Sequence, residues 1–305
     1  MWVIDLDGVV WLGDEPIPGA ADAVARLRAL GQRVVFATNN SFARLEEHES
    51  KLEHFGIPAT GDVVTSAMAA AQLVDPGERV LVCGGPGVAE AAQRRGAEVV
   101  TAGSEVDALR DSAGNPAGSL DRVDVVLAGF HRDFDYERLR VAAQAVMQGA
   151  RLIATNDDAT YPTPHGPIPG GGAIVAAISY AADVAPIVAG KPHTPMADLI
   201  RAQETGQGDG GEAPGPTEGV VARVEPTAES DDSAVSTVVV GDRPETDGAL
   251  AVALGYRYAL VLSGVTSAED LPVEPSPDMV AADLASLVDA AYGRARSRPR
   301  LRRSR

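Results

Sequence analysis

Cysteine is almost absent. The one thiol, Cys83, has no partner for an internal disulfide and no second ligand at metal-binding spacing, so it reads as a small buried residue in a reducing compartment. Long hydrophobic runs are missing as well: no stretch approaches the roughly 18 consecutive apolar residues that a membrane helix needs, and no charged segment followed by an apolar one opens the chain. These absences point to a cytoplasmic protein without a membrane partner. Positive charge is scarce, with 26 lysines and arginines against 43 aspartates and glutamates, and the resulting net charge of -17 disfavours non-specific attraction to nucleic acid or anionic lipid. No internal repeat is evident. Against these absences stand 305 residues of which 45% are hydrophobic, enough for a sizeable core and for two domains of ordinary size.

Apolar runs of strand length lie at 34–37, 80–82, 123–128, 152–154, 187–188, 238–240 and 259–262. They alternate with stretches of helical period at 20–30, 43–55, 67–74, 136–148, 174–182, 195–203 and 245–253. That alternation predicts an α/β protein with a mainly parallel sheet. Two segments break it. Residues 204–232 are rich in Gly, Pro, Thr and acids and read as a disordered acidic insertion, and residues 294–305, RARSRPRLRRSR, form a basic disordered tail with seven arginines in twelve residues.

In parallel α/β sheets ligands bind at the carboxyl ends of the strands, so the residues just after each apolar run matter most. The first run, WVI, leads into DLDG with Asp5 and Asp7; the run ending at Ala37 into TNNS with Thr38 and Asn39; the run ending at Val188 into AGKP with Lys191; and the run ending at Val240 into GDRPETD with Asp242 and Asp247. All four sets are expected in one crevice. Two carboxylates one residue apart repel each other unless a cation or a shared proton intervenes, and Mg²⁺ with oxygen ligands is the usual answer where phosphate is the other ligand. One carboxylate can then attack phosphorus while the second protonates the leaving oxygen and later deprotonates water. Thr38, nearby backbone N–H groups and the fixed cation of Lys191 suit the charge on a transferring phosphoryl group, Asp242 completes the metal site, and Asp247 supports it.

These four motifs, in this order, resemble those of the haloacid dehalogenase-like phosphohydrolases. The longer strings IPGAADAV, VVFATNNS, TSAMAAAQLV, GFHRDFDYERL, LIATNDDATYP, PGGGAIVAAI and VAGKP are similar to the branch containing p-nitrophenyl, phosphoglycolate, sugar and nucleotide phosphatases. The resemblance implies a doubly wound, Rossmann-like core at 1–77 and 187–293 with a large α/β cap inserted at 78–186. It implies Asp5 as nucleophile, Asp7 as general acid/base whose backbone carbonyl also reaches the metal, and Thr38 with the backbone of Asn39 as phosphate binders. Lys191 would bridge nucleophile and phosphate, and Asp242 would ligate the metal with Asp247 as its partner. It also implies Mg²⁺, a small phosphate-ester substrate, and pairing of two copies through their caps.

Two departures from the family pattern stand out. The insertion lengthens the connection between the third and fourth motifs, and the first strand begins so close to Met1 that either a start further upstream or a frayed first strand is expected. In the predicted cap, the loop NDDATYPTPHG nominates Asn156, Asp157 and His165 as contacts for the leaving group, while CGGPG at 83–87 reads as a strand-to-helix turn. A phosphomutase is one alternative, and a regulatory module whose arginine-rich tail binds nucleic acid is another. A dehalogenase is disfavoured by the second aspartate of the first motif.

Overall fold

The computed structural model describes residues 1–101, 123–161, 166–204 and 237–293. The chain opens with the buried strand β1 (Trp2–Ile4), then a short hairpin, β2 (Trp11–Leu12) and β3 (Glu15–Pro16). Next come α1 (Ala20–Ala29), β4 (Val34–Thr38), α2 (Leu45–His54), β5 (Val63–Thr65) and α3 (Ser66–Ala71). A second layer succeeds them: β6 (Arg79–Cys83), α4 (Pro86–Arg94), β7 (Glu98–Thr101), β8 (Val125–Ala128), α5 (Tyr136–Met147), β9 (Arg151–Ala154), the hairpin β10 (Thr160–Tyr161) and β11 (Ile168–Pro169), α6 (Gly171–Ala182) and β12 (Ile187–Val188). The chain returns through α7 (Thr194–Glu204), β13 (Val238–Gly241), α8 (Ala249–Leu254), β14 (Arg257–Val261), β15 (Met279–Ala281) and α9 (Leu284–Tyr292).

Two parallel sheets result. One has the order β15-β14-β13-β1-β4-β5, the other β12-β9-β8-β6-β7. The mainly parallel α/β architecture expected from the alternation and the doubly wound core implied by the resemblance are therefore present, with a second α/β layer, β6 to β12, between α3 and α7.

Central strands of such sheets are covered on both faces and carry apolar residues at every position, as VVFAT in β4 does. Alternate residues then feed different clusters. Trp2, Ile4 and Phe36 pack with Leu27 of α1 and Leu284 and Leu287 of α9, while Val3, Val35 and Ala37 face α3 and α7. The second cluster runs on into the other sheet through Val80, Val82, Leu127 and Ile153. The sequence SAMAAA makes this continuity possible, because the buried alanines of α3 let α4 and α7 approach closely.

One strand lies elsewhere than expected. The resemblance implies that residues 187–188 belong to the core, but β12 pairs parallel with β9, Ile187 beside Ile153 and Val188 beside Ala154. The reason is reach: α6 ends at Ala182 against the second sheet, and the few residues before Ile187 lead only to that sheet's open edge. The core is rejoined one loop later. Of the acidic insertion, Glu204 is the last residue of α7 and the rest, like the basic tail, lies outside the described residues. Among the described residues no helix is long and apolar enough to cross a membrane.

Candidate active site

The three central core strands end at one edge of the sheet, and a polar residue stands at each end. Register pairs Ile4, the last residue of β1, with Val240 and Phe36; β13 ends one residue later and β4 two residues later at Thr38, and the Asp5 N–H donates to the Val240 carbonyl at 2.9 Å. Asp5 and Asp242 thereby become neighbours. A wide π-helical turn, Pro244–Gly248, comes after β13 and turns Asp247 back toward them, its N–H bonded to the Arg243 carbonyl at 2.8 Å.

Lys191 arrives from the loop after β12, which makes the displacement of that strand harmless to the site. Its ammonium, 3% exposed, donates to Asp5 Oδ1 and to Asp247 Oδ1, each at 2.7 Å. Burial by itself lowers a lysine, but the charges of Asp247 and Asp5 overcome that, and the ammonium is held above its ordinary value. Burial raises the Asp5 carboxyl well above the usual range despite Lys191, with Asp247 and Asp242 adding to the rise. Burial, and after it the Asp247 charge, pushes Asp242 up to about 6.

Burial comes first in both acid shifts, and the crowding of like charge adds to it. Oxygens of Asp5, Asp242 and Asp247 lie within 4.8 Å of one another, so three carboxylates face one ammonium. A divalent cation would cancel the difference. Asp242 supplies a second sign of fit: Oδ2 accepts from the Val265 N–H at 2.6 Å, while buried Oδ1 has no partner among the described residues. The donor set is all oxygen, which suits a hard ion such as Mg²⁺. Asp247, expected only to support the metal residues, is itself one of the three, with Oδ1 held by Lys191 and Oδ2 accepting from the Arg243 N–H at 3.2 Å.

Gly8 makes room for this cluster. Its φ is +83°, and a methyl group there would overlap the Asp242 carboxylate. Gly8→Ala is therefore expected to lower turnover by about a hundredfold, the loss typical of reacting groups displaced by an ångström. Isothermal titration with Mg²⁺ should show weaker binding by the same variant.

Asn39 ties the remaining parts together. Its Oδ1 accepts from the Lys191 N–H at 2.8 Å, its Nδ2 donates to Asp158 Oδ2 at 3.0 Å, and its carbonyl accepts from Ser66 Oγ and Asn156 Nδ2 at 2.8 and 2.7 Å. Buried Thr38 accepts from the Asn40 N–H through Oγ1 at 3.0 Å, which leaves its hydroxyl proton for a ligand in the cavity it lines. Asp7 is half-buried on the same wall, and its Oδ1 accepts from the Trp11 indole N–H at 3.0 Å.

The cavity, about 550 Å³, lies between these core loops and the second layer. Asn156 lines it, turned onto the Asn39 backbone. Asp157 does not: its carboxylate, 53% exposed, faces His193 Nε2 at 3.3 Å. Asp158 takes the place expected of it, bonded to Asn39 and with its carboxyl raised by burial. The difference arises from the adjoining glycines, since the Gly172 N–H grips the Asp158 carbonyl at 2.9 Å and so sets which way each side chain turns. His165 lies outside the described residues. The far wall is aromatic and has no signature in the sequence: Phe42 and Phe130 meet edge to face at 5.8 Å, Phe130 and Tyr161 stack at 5.8 Å, and the Arg132 guanidinium sits 4.6 Å over Phe42.

Known proteins share this arrangement of strands and loops. A family model described as haloacid dehalogenase-like hydrolase matches residues 2–98, and a second, HAD-hydrolase-like model matches residues 188–287. The chain is 35% identical over 294 residues to the D-glycerol 3-phosphate phosphatase of Mycobacterium tuberculosis, an alignment spanning 93% of this chain and 70% of that protein. It is 31% identical over 274 residues to a 5'-nucleotidase of Bacillus subtilis, spanning 88% and 90% respectively. The crystal structure of the Mycobacterium tuberculosis glycerol phosphate phosphatase in complex with magnesium superposes with a TM-score of 0.71 at 33% identity, covering 94% of this chain and 75% of that one. The first family match runs from β1 into the start of the second layer and the second resumes at the end of β12, and together they contain the loops that carry Asp5, Lys191 and Asp242. On these grounds, and with the 35% identity over 93% of the chain, the chain belongs to the haloacid dehalogenase-like hydrolase family.

Proposed function

We propose that this phosphatase hydrolyses a small organic phosphomonoester in two steps through an aspartyl phosphate on Asp5, with Mg²⁺ as its cofactor. The observation that carries the reading is the Lys191 ammonium bridging Asp5 and Asp247 at 2.7 Å beside the unpartnered Oδ1 of Asp242. Asp5, Asp242 and Asp247, with the Asp7 backbone carbonyl, would hold the metal. When bound, Mg²⁺ supplies charge neutralisation between the carboxylates and an incoming phosphate.

In the first step an Asp5 oxygen bonds to phosphorus as the bond from phosphorus to the leaving oxygen breaks, and Asp7 gives that oxygen its proton. In the second, Asp7 takes a proton from water, the water oxygen bonds to phosphorus, and the bond to Asp5 breaks to release phosphate. Lys191, Thr38 and the N–H groups after β4 hold the phosphoryl oxygens as their charge rises. The aromatic wall and Arg132 face the organic part of the ester. Relatives named for glycerol phosphate, sugar phosphates and 5'-nucleotides support a small ester as the substrate class.

A panel of glycerol, sugar, nucleoside and p-nitrophenyl phosphates, assayed for free phosphate with Mg²⁺, tests this directly. Chelation by EDTA is expected to reduce turnover at least about a hundredfold, and added Mg²⁺ to restore it. Turnover indifferent to EDTA would sink the metal assignment, and an isomeric phosphate as product would identify a phosphomutase instead.

A further inference from the structure

One buried side chain at the site has no part in the two hydrolytic steps. Trp11, 2% exposed, opens the β2–β3 hairpin, and its indole N–H is 3.0 Å from Asp7 Oδ1. Packing holds the ring firmly. Phe55 lies 6.0 Å away between centroids, and the Lys51 ammonium stands 4.6 Å from the indole centroid while donating to the Gly13 carbonyl at 2.7 Å. The backbone is equally constrained: the Trp11 N–H donates to the Leu6 carbonyl at 3.2 Å, and the Trp11 carbonyl accepts from the Gly8 N–H at 2.7 Å. The loop bearing Asp7 and the residue that grips its carboxylate are therefore one unit.

We infer that Trp11 is a positioning residue for proton transfer: by occupying Asp7 Oδ1, it presents Oδ2 as the oxygen that gives and takes the proton. This rests on the acid/base role proposed for Asp7. An aspartate beyond a strand end rotates about two bonds and can exchange its oxygens, whereas a hydrogen bond from a rigid, buried ring selects one orientation. The choice of donor suits the task. An indole N–H donates only and does not titrate, so it cannot take the proton that Asp7 must deliver, as histidine could, and it adds no charge beside the phosphate, as lysine would. Among the described residues no donor is engaged with Oδ2. The same hairpin places Leu12 and Glu15 on the cavity wall, which couples the orientation of the acid to the position of the hairpin over the site.

Trp11→Phe keeps a ring against Phe55 and removes the donor. The informative readout is kcat/KM for two kinds of ester, because only one needs the acid: an alkyl phosphate such as glycerol 3-phosphate leaves as an alkoxide that must be protonated, while p-nitrophenolate departs without a proton. We expect kcat/KM to fall about tenfold for the alkyl ester and by less than roughly threefold for p-nitrophenyl phosphate. Equal losses for both esters, or no loss for either, would overturn the assignment, since a merely structural role does not discriminate between leaving groups. If Trp11→Phe fails to fold, benzothienylalanine at position 11, with sulfur where the N–H stood, carries the same comparison. Asp7→Asn distinguishes the role of Trp11 from that of the acid itself. A selective alkyl-ester loss in Asp7→Asn but none at position 11 overturns the role of Trp11 alone, whereas an Asp7→Asn variant unchanged on both esters removes the acid/base reading beneath it.

Discussion

Asp5→Asn is expected to abolish turnover, by at least about 10⁴-fold, without unfolding the protein. The amide cannot attack phosphorus, and neither neighbouring carboxylate is placed to replace it: Asp242 is bonded to the Val265 N–H and Asp247 to Lys191 and the Arg243 N–H. Stability should move the other way. Asp5 is one of three buried acids crowded around a single ammonium, and its carboxyl is already raised by burial and by its two neighbours. Removing one charge relieves that repulsion, so the metal-free variant should melt no lower than the parent. Acid-quenched mass spectrometry should find the phosphoryl adduct in the parent with p-nitrophenyl phosphate and none in Asp5→Asn. A variant keeping more than about a hundredth of parental turnover would remove Asp5 as nucleophile.

Lys191→Met gives the opposite pairing of effects, a loss of both activity and stability. The ammonium is the one protein cation hydrogen-bonded to the carboxylate cluster among the described residues, and without it Asp5 and Asp247 are buried unpaired. Breaking a buried ion pair from one side typically costs about 3 kcal/mol or more, here tempered because the freed carboxyls can take up protons. Turnover should fall about 10³-fold through loss of charge stabilisation. The melting temperature in EDTA should drop by roughly 6 °C, and Mg²⁺ should restore part of that drop but not the turnover. The pH dependence has a definite sign. Asp242, at about 6 in the folded chain against 3.8 ordinarily, binds its proton more tightly when folded, so its contribution in EDTA favours the fold at low pH and is lost as pH rises from 3.8 through about 6. Equal melting temperatures for parent and variant in EDTA, at neutral pH, would show that Lys191 is not structurally coupled to the cluster.

Much of this site is legible in the sequence. Asp5, Thr38 and Asp242 each lie at the end of an apolar run, and a buried parallel strand must be apolar on both faces and polar where it stops at the ligand edge. That signal is local and survives in a single sequence. It weakens at the sheet edges: β5, β7 and β15 are edge strands that escape it, and the half-exposed residues of β15 blur its pattern. It fails in loops without a period. Asp157 and Asp158 are indistinguishable by sequence, and only the packing of the Gly170 to Gly172 backbone decides that Asp158 meets Asn39 while Asp157 faces His193. Phe42, Phe130 and Tyr161 carry no shared motif, yet they form one wall.

By itself, then, the sequence determined the α/β class and the residue types at the strand ends, because hydrophobic period and strand-end chemistry are encoded within a few neighbouring positions. The tertiary structure alone decided which groups meet: that Lys191 stands between Asp5, 186 positions away, and Asp247, 56 positions away; that Ile187 and Val188 close the second sheet rather than the first; and that Trp11 turns its N–H onto Asp7. For the first two the physical reason is that such contacts depend on where a long intervening chain packs and returns, which is settled by the burial of whole layers and not by the residues that finally touch. Trp11 lies only four positions from Asp7, and its orientation is decided by the ring's packing against Phe55 and Lys51 of the neighbouring helix region.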